Sequence, residues 1–133
     1  MGRNTFIDLL AIENASEFAC GGETDFWMKT FDMPKNRSFG LELKIESPGT
    51  VALDVFLEQG NEELVDAAQN LTNANYVVPD GDSAVLQPDT AKVYIIDLGP
   101  VVTKFSRLKI TGTAGNDAGT KITRARLCVS ENA

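Results

Sequence analysis

Residues 38–58 read SFGLELKIESPGTVALDVFLE, and the fold class turns on them. Phe39, Leu41, Leu43 and Ile45 recur at a period of two, with Glu42, Lys44 and Glu46 between them. That alternation predicts a strand with one buried and one wet face. Ser47-Pro48-Gly49-Thr50 follows, where proline presets φ and glycine accepts a positive φ, so the chain turns. Alternation then resumes, with Val51, Leu53, Val55 and Leu57 on one face. Two alternating runs around a four-residue turn predict an antiparallel hairpin.

Working outward, further strands are expected at Thr5 to Ile12, Asp25 to Phe31, Tyr76 to Val78, Ala84 to Leu86, Lys92 to Leu98, Lys104 to Thr111 and Lys121 to Val129. Gly21-Gly22, Pro79, Gly99-Pro100 and the glycine-rich stretch 112–119 punctuate them. Seven to nine strands at this spacing predict an all-β fold, an antiparallel β-sandwich of jelly-roll-like type. One segment departs from the period. In Asn61 to Leu71 the apolar positions Leu64, Ala67, Ala68 and Leu71 are spaced as a helical stripe behind an Asn N-cap, so one short helix is expected near 61–71. The 133 residues show no repeat or linker and are expected to form one domain, 1–133. The Lys92 to Leu98 run is apolar on both faces, Val93 and Ile95 on one and Tyr94, Ile96 and Leu98 on the other. It therefore calls for cover on both sides, from the helix or from a neighbouring subunit.

Composition excludes much chemistry. The chain has no histidine, which removes Ser-His-Asp and Cys-His nucleophiles, imidazole metal sites and a histidine pH switch. Its acidic carboxylates alternate with apolar residues as solvated strand faces do, so an enzyme is not expected. Cys20 and Cys128 are too few for a disulfide scaffold and form no C-x-x-C, so buried free thiols are expected, with a bridge between them as the alternative. Asp80-Gly81-Asp82 lacks the further ligands of a calcium loop, and residues 112–119 lack the Gly-Lys-Ser/Thr of a phosphate loop. No cofactor and no metal are expected. A flexible hairpin tip that could touch a partner is expected at 112–119. The N-terminus carries no apolar h-region and no run reaches membrane-spanning length, so the chain is expected to be soluble and made in a cytosol.

The formal net charge of −7 hides a division. Residues 1–100 hold six basic and seventeen acidic side chains, a net −11, whereas residues 101–133 hold six basic and two acidic, a net +4. If the strands at 104–111 and 121–129 pair across the glycine loop, Arg107, Lys109, Arg124 and Arg126 share one sheet face. Leu108, Ile110, Ala125, Leu127 and Val129 then form the core side. Cations so placed need anions over them. Glu42 and Glu46 of the same chain are one source, and an acidic neighbour, another copy of this chain included, is the other. Arg3, in the N-terminal arm Gly2 to Thr5, and Tyr94 are further interface candidates. Trp27 and Tyr94 are the side chains that could stack on a sugar. Nucleic acid is not an expected partner of so acidic a chain.

The succession VALDVFLEQG (51–60), YVVP (76–79), FSRLKITGT (105–113), a Gly/Asn loop and TRARLCVSE (123–131) resembles small β-sandwich structural proteins of tailed bacteriophages, the head decoration and auxiliary capsid type. The resemblance covers roughly residues 38–131. It implies a virion protein assembled in the bacterial cytoplasm, without cofactor, that binds the major capsid protein, other copies of itself, or both, as a homo-oligomer. FSRLKITG also resembles the late strands of discoidin-like sandwiches, which implies as an alternative a carbohydrate- or surface-binding module of a tail or fibre.

Overall fold

A computed structural model of the chain describes residues 3–33, 38–62, 76–78, 83–98, 101 and 103–131. In chain order its elements are β1 (Arg3–Asp8), α1 (Leu9–Glu13), β2 (Phe18–Ala19), β3 (Asp25–Trp27), β4 (Phe31–Asp32), β5 (Ser38–Glu46), β6 (Leu53–Gly60), β7 (Val93–Leu98), β8 (Phe105–Gly112) and β9 (Lys121–Glu131). The first sheet has the order β1-β9-β5-β7, with β2 also beside β9. In the second, β3 and β4 both lie against β8, and β6 pairs β8 from the other side. Leu86 and Val77 bridge β6 at Val55 and Gln59, standing in for an irregular further strand. All strand pairs are antiparallel. From β5 onward the chain changes sheet at every strand. This interleaving is that of a jelly roll, the all-β architecture that the strand spacing predicts.

The runs at 38–58 are both strands, as their period demands, but they are not a hairpin. β5 pairs β9 and β7, while β6 pairs β8. The Ser47-Pro48-Gly49-Thr50 turn carries the chain from one sheet to the other. The two apolar stripes therefore face each other across the core instead of lying side by side. Leu41, Leu43 and Ile45 are 0–1% exposed and Leu53, Val55 and Leu57 are 0–5% exposed. Burial is what the alternation encodes, and either arrangement satisfies it. The core is completed by Leu108, Ile110, Ile122, Ala125, Leu127 and Val129 from the two C-terminal strands. Each large aliphatic side chain removed from water there contributes about 1.5–3 kcal/mol of gross transfer free energy.

Two further expectations shift locally. The strand expected at Thr5 to Ile12 stops at Asp8, whose carboxylate accepts hydrogen bonds from Leu10 N (3.0 Å) and Ala11 N (3.3 Å). That N-cap turns the apolar run into α1, which buries Leu9 and Leu10 and ends at Asn14 in the left-handed region (φ 56°). The strand expected at Asp25 to Phe31 is split into β3 and β4, both on β8. The helix expected near 61–71, and the Asp80-Gly81-Asp82 turn, lie almost wholly outside the described residues.

Residues 112–120 are not a flexible hairpin loop. β8 and β9 belong to opposite sheets, so this segment also crosses the sandwich, and it is clasped by two other segments. Asn116 is 6% exposed. Its Nδ2 donates to Cys20 O (3.0 Å) and Gly22 O (2.8 Å), and its Oδ1 accepts from Ala52 N (3.2 Å). Asp117 N donates to Thr50 O (2.8 Å), Gly22 N to Asp117 O (3.1 Å) and Cys20 N to Thr120 O (3.0 Å). Ser47 Oγ and Thr120 Oγ1 lie 3.0 Å apart. One side-chain amide thus satisfies the backbone of both neighbouring segments, which would otherwise hold buried polar groups without partners.

Candidate interaction surface

The four C-terminal cations do not share a face. β8 and β9 lie in opposite sheets, so their outward side chains point away from each other. Arg124 and Arg126 stand on the outer face of the first sheet, and Arg107 and Lys109 on that of the second.

On the second sheet Arg107 is 1% exposed and cannot act as a docking cation. Its Nε donates to Glu58 Oε1 at 2.7 Å, and its guanidinium lies 4.9 Å from the Tyr76 ring centre and 5.9 Å from that of Trp27. Glu58 faces it across the β6–β8 ladder. This pairing of neighbours in register lets the sheet carry a charge under cover. Lys109 is half-buried, its Nζ 5.4 Å from the Trp27 ring and 5.7 Å from the Phe56 ring. Beside it a depression of about 450 Å³ is lined by Phe56, Glu58, Tyr76, Val77, Val78 and Lys109. Trp27 Nε1 is buried and has no hydrogen-bond partner among the described residues.

The outer face of the first sheet is more open, and register places its side chains in rows. One row is Phe6, Cys128, Gly40 and Asp97; the next is Asp8, Arg126, Glu42 and Ile95; the third is Arg124, Lys44 and Val93. Glu42 is the hub. Its Oε2 accepts from Arg124 Nη1 and its Oε1 from Arg126 Nη1, both at 3.4 Å. The cross-strand acid expected from the sequence is therefore Glu42, whereas Glu46 lies opposite Lys121. Two guanidiniums share one carboxylate, so donors remain for an external acid. Such half-exposed pairs contribute little stability, about 0–1 kcal/mol. The Arg126 guanidinium also covers the Phe6 ring at 4.3 Å, which leaves Phe6 54% exposed. Across the sheet Val93 is 42% and Ile95 71% exposed. The cover expected for this face of the 92–98 strand is not supplied by any described residue. Over Gly40, between Asp97 and Cys128, the missing side chain leaves a depression of about 260 Å³.

The other candidates fall elsewhere. Arg3 lies on β1 opposite Glu131, so the Arg3 to Thr5 part of the expected arm is a strand of the sheet. Tyr94 points to the core side of β7. Its hydroxyl accepts from Asp89 N (3.2 Å) and Thr90 N (3.1 Å) and donates to Thr90 O (2.8 Å), holding the turn that precedes β7. Its hydroxyl is thus engaged within the chain, while the residue as a whole is half-buried. The exposed aromatic side chain that sequence reading passed over is Phe6. It sits in an apolar run whose strand-to-helix change hid which positions face out.

Cys20 and Cys128 are both free. Cys20 N bonds Thr120 O, and Cys128 lies eight residues further along the chain from Thr120, roughly 26 Å at strand rise. A disulfide requires Cα atoms within about 7 Å, which excludes the bridge. Burial pushes the Cys20 thiol up to about 12. It also raises that of Cys128, with Glu42 adding to the rise. Iodoacetamide at mildly alkaline pH should therefore modify Cys128 slowly and Cys20 only once denaturant is present. Mass analysis of the labelled peptides checks this, and equal labelling of both thiols in the folded protein would contradict the placement of Cys20 in the core.

Burial raises the Glu13 carboxyl from its ordinary value, against a hydrogen bond from Lys29 N. Among the described residues no three His, Cys, Asp or Glu side chains gather as a metal site, and no helix is long and apolar enough to cross a membrane. Comparison with protein-family models and with curated proteins finds no match for the chain.

Proposed function

We propose that the chain is a non-enzymatic structural protein of a phage virion, a capsid decoration or cement protein that docks through the outer face of the β1-β9-β5-β7 sheet. The observation that carries this reading is the make-up of that face. Phe6, Val93 and Ile95 are exposed beside Arg124 and Arg126, whose shared carboxylate leaves guanidinium donors over. Exposed apolar side chains rimmed by charge mark association surfaces, with the apolar part supplying affinity and the charges orientation. The resemblance of the strand succession to that of phage auxiliary proteins supports the choice of partner.

The test uses particles of the encoding phage assembled without this gene product. Purified protein should saturate them at a fixed number of copies per particle. Arg124→Glu combined with Arg126→Glu should weaken that binding at least about tenfold, the equivalent of 1.4 kcal/mol, while leaving the circular dichroism spectrum unchanged. Binding unaffected by the double reversal would remove the charged face from the account. Absence of any binding to the particles would remove the virion reading.

The second sheet favours a second reading. The aromatic rings of Trp27 and Phe56 flank Lys109 beside an open depression, a combination of flat apolar faces and polar heads that suits a sugar. A carbohydrate-binding module would give a saturable glycan-array signal that is lost in a folded Trp27→Ala variant.

A further inference from the structure

We infer that β7 pairs with β7 of a second copy of this chain, about a two-fold axis at Ile95, joining two sheets into one. The inference deepens the reading above by naming the homotypic contact, and it rests on that reading only for the occurrence of such a contact.

The argument begins with the ladder. β7 is the edge of the first sheet and pairs only β5 among the described residues. Ile45 N donates to Lys92 O, which fixes the phase of the β5–β7 hydrogen bonds. In an antiparallel ladder bonded and non-bonded pairs alternate, so Tyr94, Ile96 and Leu98 direct their N–H and C=O groups to β5. Val93, Ile95 and Asp97 direct theirs to the open edge. The same three residues carry the outward side chains of the strand, and Ile95 at 71% exposure is the most exposed large hydrophobic residue described. Between Lys92 and Gly99-Pro100 the strand itself holds no lysine, proline or bulge, and its edge donors and acceptors have no partner among the described residues, which makes it a template for another strand.

Charge complementarity selects a second copy as that strand. Neither Lys44 nor Asp97 has an ion pair among the described residues. Lys44 lies opposite Val93 on β5, and Gly40 lies opposite Asp97. Antiparallel pairing about Ile95 sets Ile95 against its own symmetry mate and Val93 against Asp97 of the second copy. The rows then read Lys44, Val93, and Asp97 and Gly40 of the second copy. Lys44 and that aspartate sit two strands apart, about 10 Å between backbones, within reach of a lysine laid over a valine. Symmetry makes the ion pair twice. Self-complementarity of this kind is the requirement of an isologous contact.

Sedimentation equilibrium of the full chain should show a concentration-dependent dimer. Ile95→Lys, at an exposed position, should raise its dissociation constant at least about tenfold with unchanged thermal stability, because two ammonium groups meet on the axis. Lys44→Asp should weaken the dimer, and Lys44→Asp with Asp97→Lys should restore it. In a Cys128→Ser background Ile95→Cys should oxidise to a covalent dimer, whereas Val93→Cys should not. A wild-type chain that stays monomeric at its solubility limit would overturn the inference, as would a dimer indifferent to Ile95→Lys or a swap that fails to restore it. Particle binding is read separately. A monomer that still saturates particles removes the edge pairing and keeps the virion role, and a dimer that ignores them does the reverse.

Discussion

Alanine at position 112 should destabilise the protein by on the order of 4 kcal/mol, lowering its melting temperature by about 12–20 °C or preventing folding outright. A Cβ on Gly112 would lie 1.8 Å from the carbonyl oxygen of Gly22, and 3.0 Å from Asn116 Nδ2. The first neighbour is backbone and cannot rotate away. Segments 20–24 and 112–117 would have to separate by more than an ångström. Gly112 N would lose Thr24 O (2.8 Å), and Asn116 Nδ2 would lose Gly22 O (2.8 Å). The buried amide and carbonyls left behind each cost about 1–3 kcal/mol without partners. Asn116→Ala reaches the same clasp without a clash and should cost about 2–3 kcal/mol through those groups alone. Gly115→Ala supplies the contrast. That glycine has open space around it, and alanine there meets only the strain of φ +90°. Urea denaturation of the three variants checks the order, and a Gly112→Ala protein as stable as wild type would refute the interlocked arrangement of the loops.

The second large effect is expected at Arg107. Its guanidinium is fully covered, and Glu58, itself 8% exposed, meets it at 2.7 Å. Arg107→Met keeps much of the side-chain volume but leaves the Glu58 carboxylate buried without this cation. It also removes the charge from the faces of Tyr76 and Trp27. Deleting one member of a buried pair costs about 3–5 kcal/mol, mostly through the charge left behind. Arg107→Met combined with Glu58→Leu should recover a large part of that loss, since an apolar pair has no charge to desolvate. Lys109→Met, two residues along the same strand face, should cost under about 1 kcal/mol because its ammonium is half-exposed. Equilibrium unfolding of these three variants and of Glu58→Leu alone gives the coupling directly. Arg107→Met that costs no more than Lys109→Met would show that the pair contributes only as surface pairs do.

These two sites mark where sequence reading stopped. The arginine at 107 and those at 124 and 126 look alike in sequence, each alternating with apolar neighbours near the C-terminus. One is buried in an ion pair and two are at the surface, because their strands lie in different sheets. Gly112 and Asn116 read as a loop, since glycine and asparagine favour turns whether or not anything packs on them. Only the approach of residues 20–24, about ninety positions earlier, turns the glycine into a steric requirement and the asparagine into a three-way tie. The exposed pair Val93 and Ile95 was the most legible part of the surface, because a strand apolar on both faces declares a missing cover. Phe6 was the least legible.

What the sequence by itself determined is the all-β class, the positions of the long strands and, for β5, β6, β8 and β9, the side that faces the core. Those properties are local. Alternation at a period of two sets side chains on opposite faces of a strand wherever that strand lies. What only the tertiary structure decided is which strands pair. The turn at 47–50 and the loop at 112–120 are both crossings between sheets, not hairpins. With them was decided the separation of Arg107 and Lys109 from Arg124 and Arg126. The alternating pattern reads the same in either sheet. The choice between them is made by backbone hydrogen bonds and core contacts with strands as much as a hundred residues away, and no local pattern encodes those.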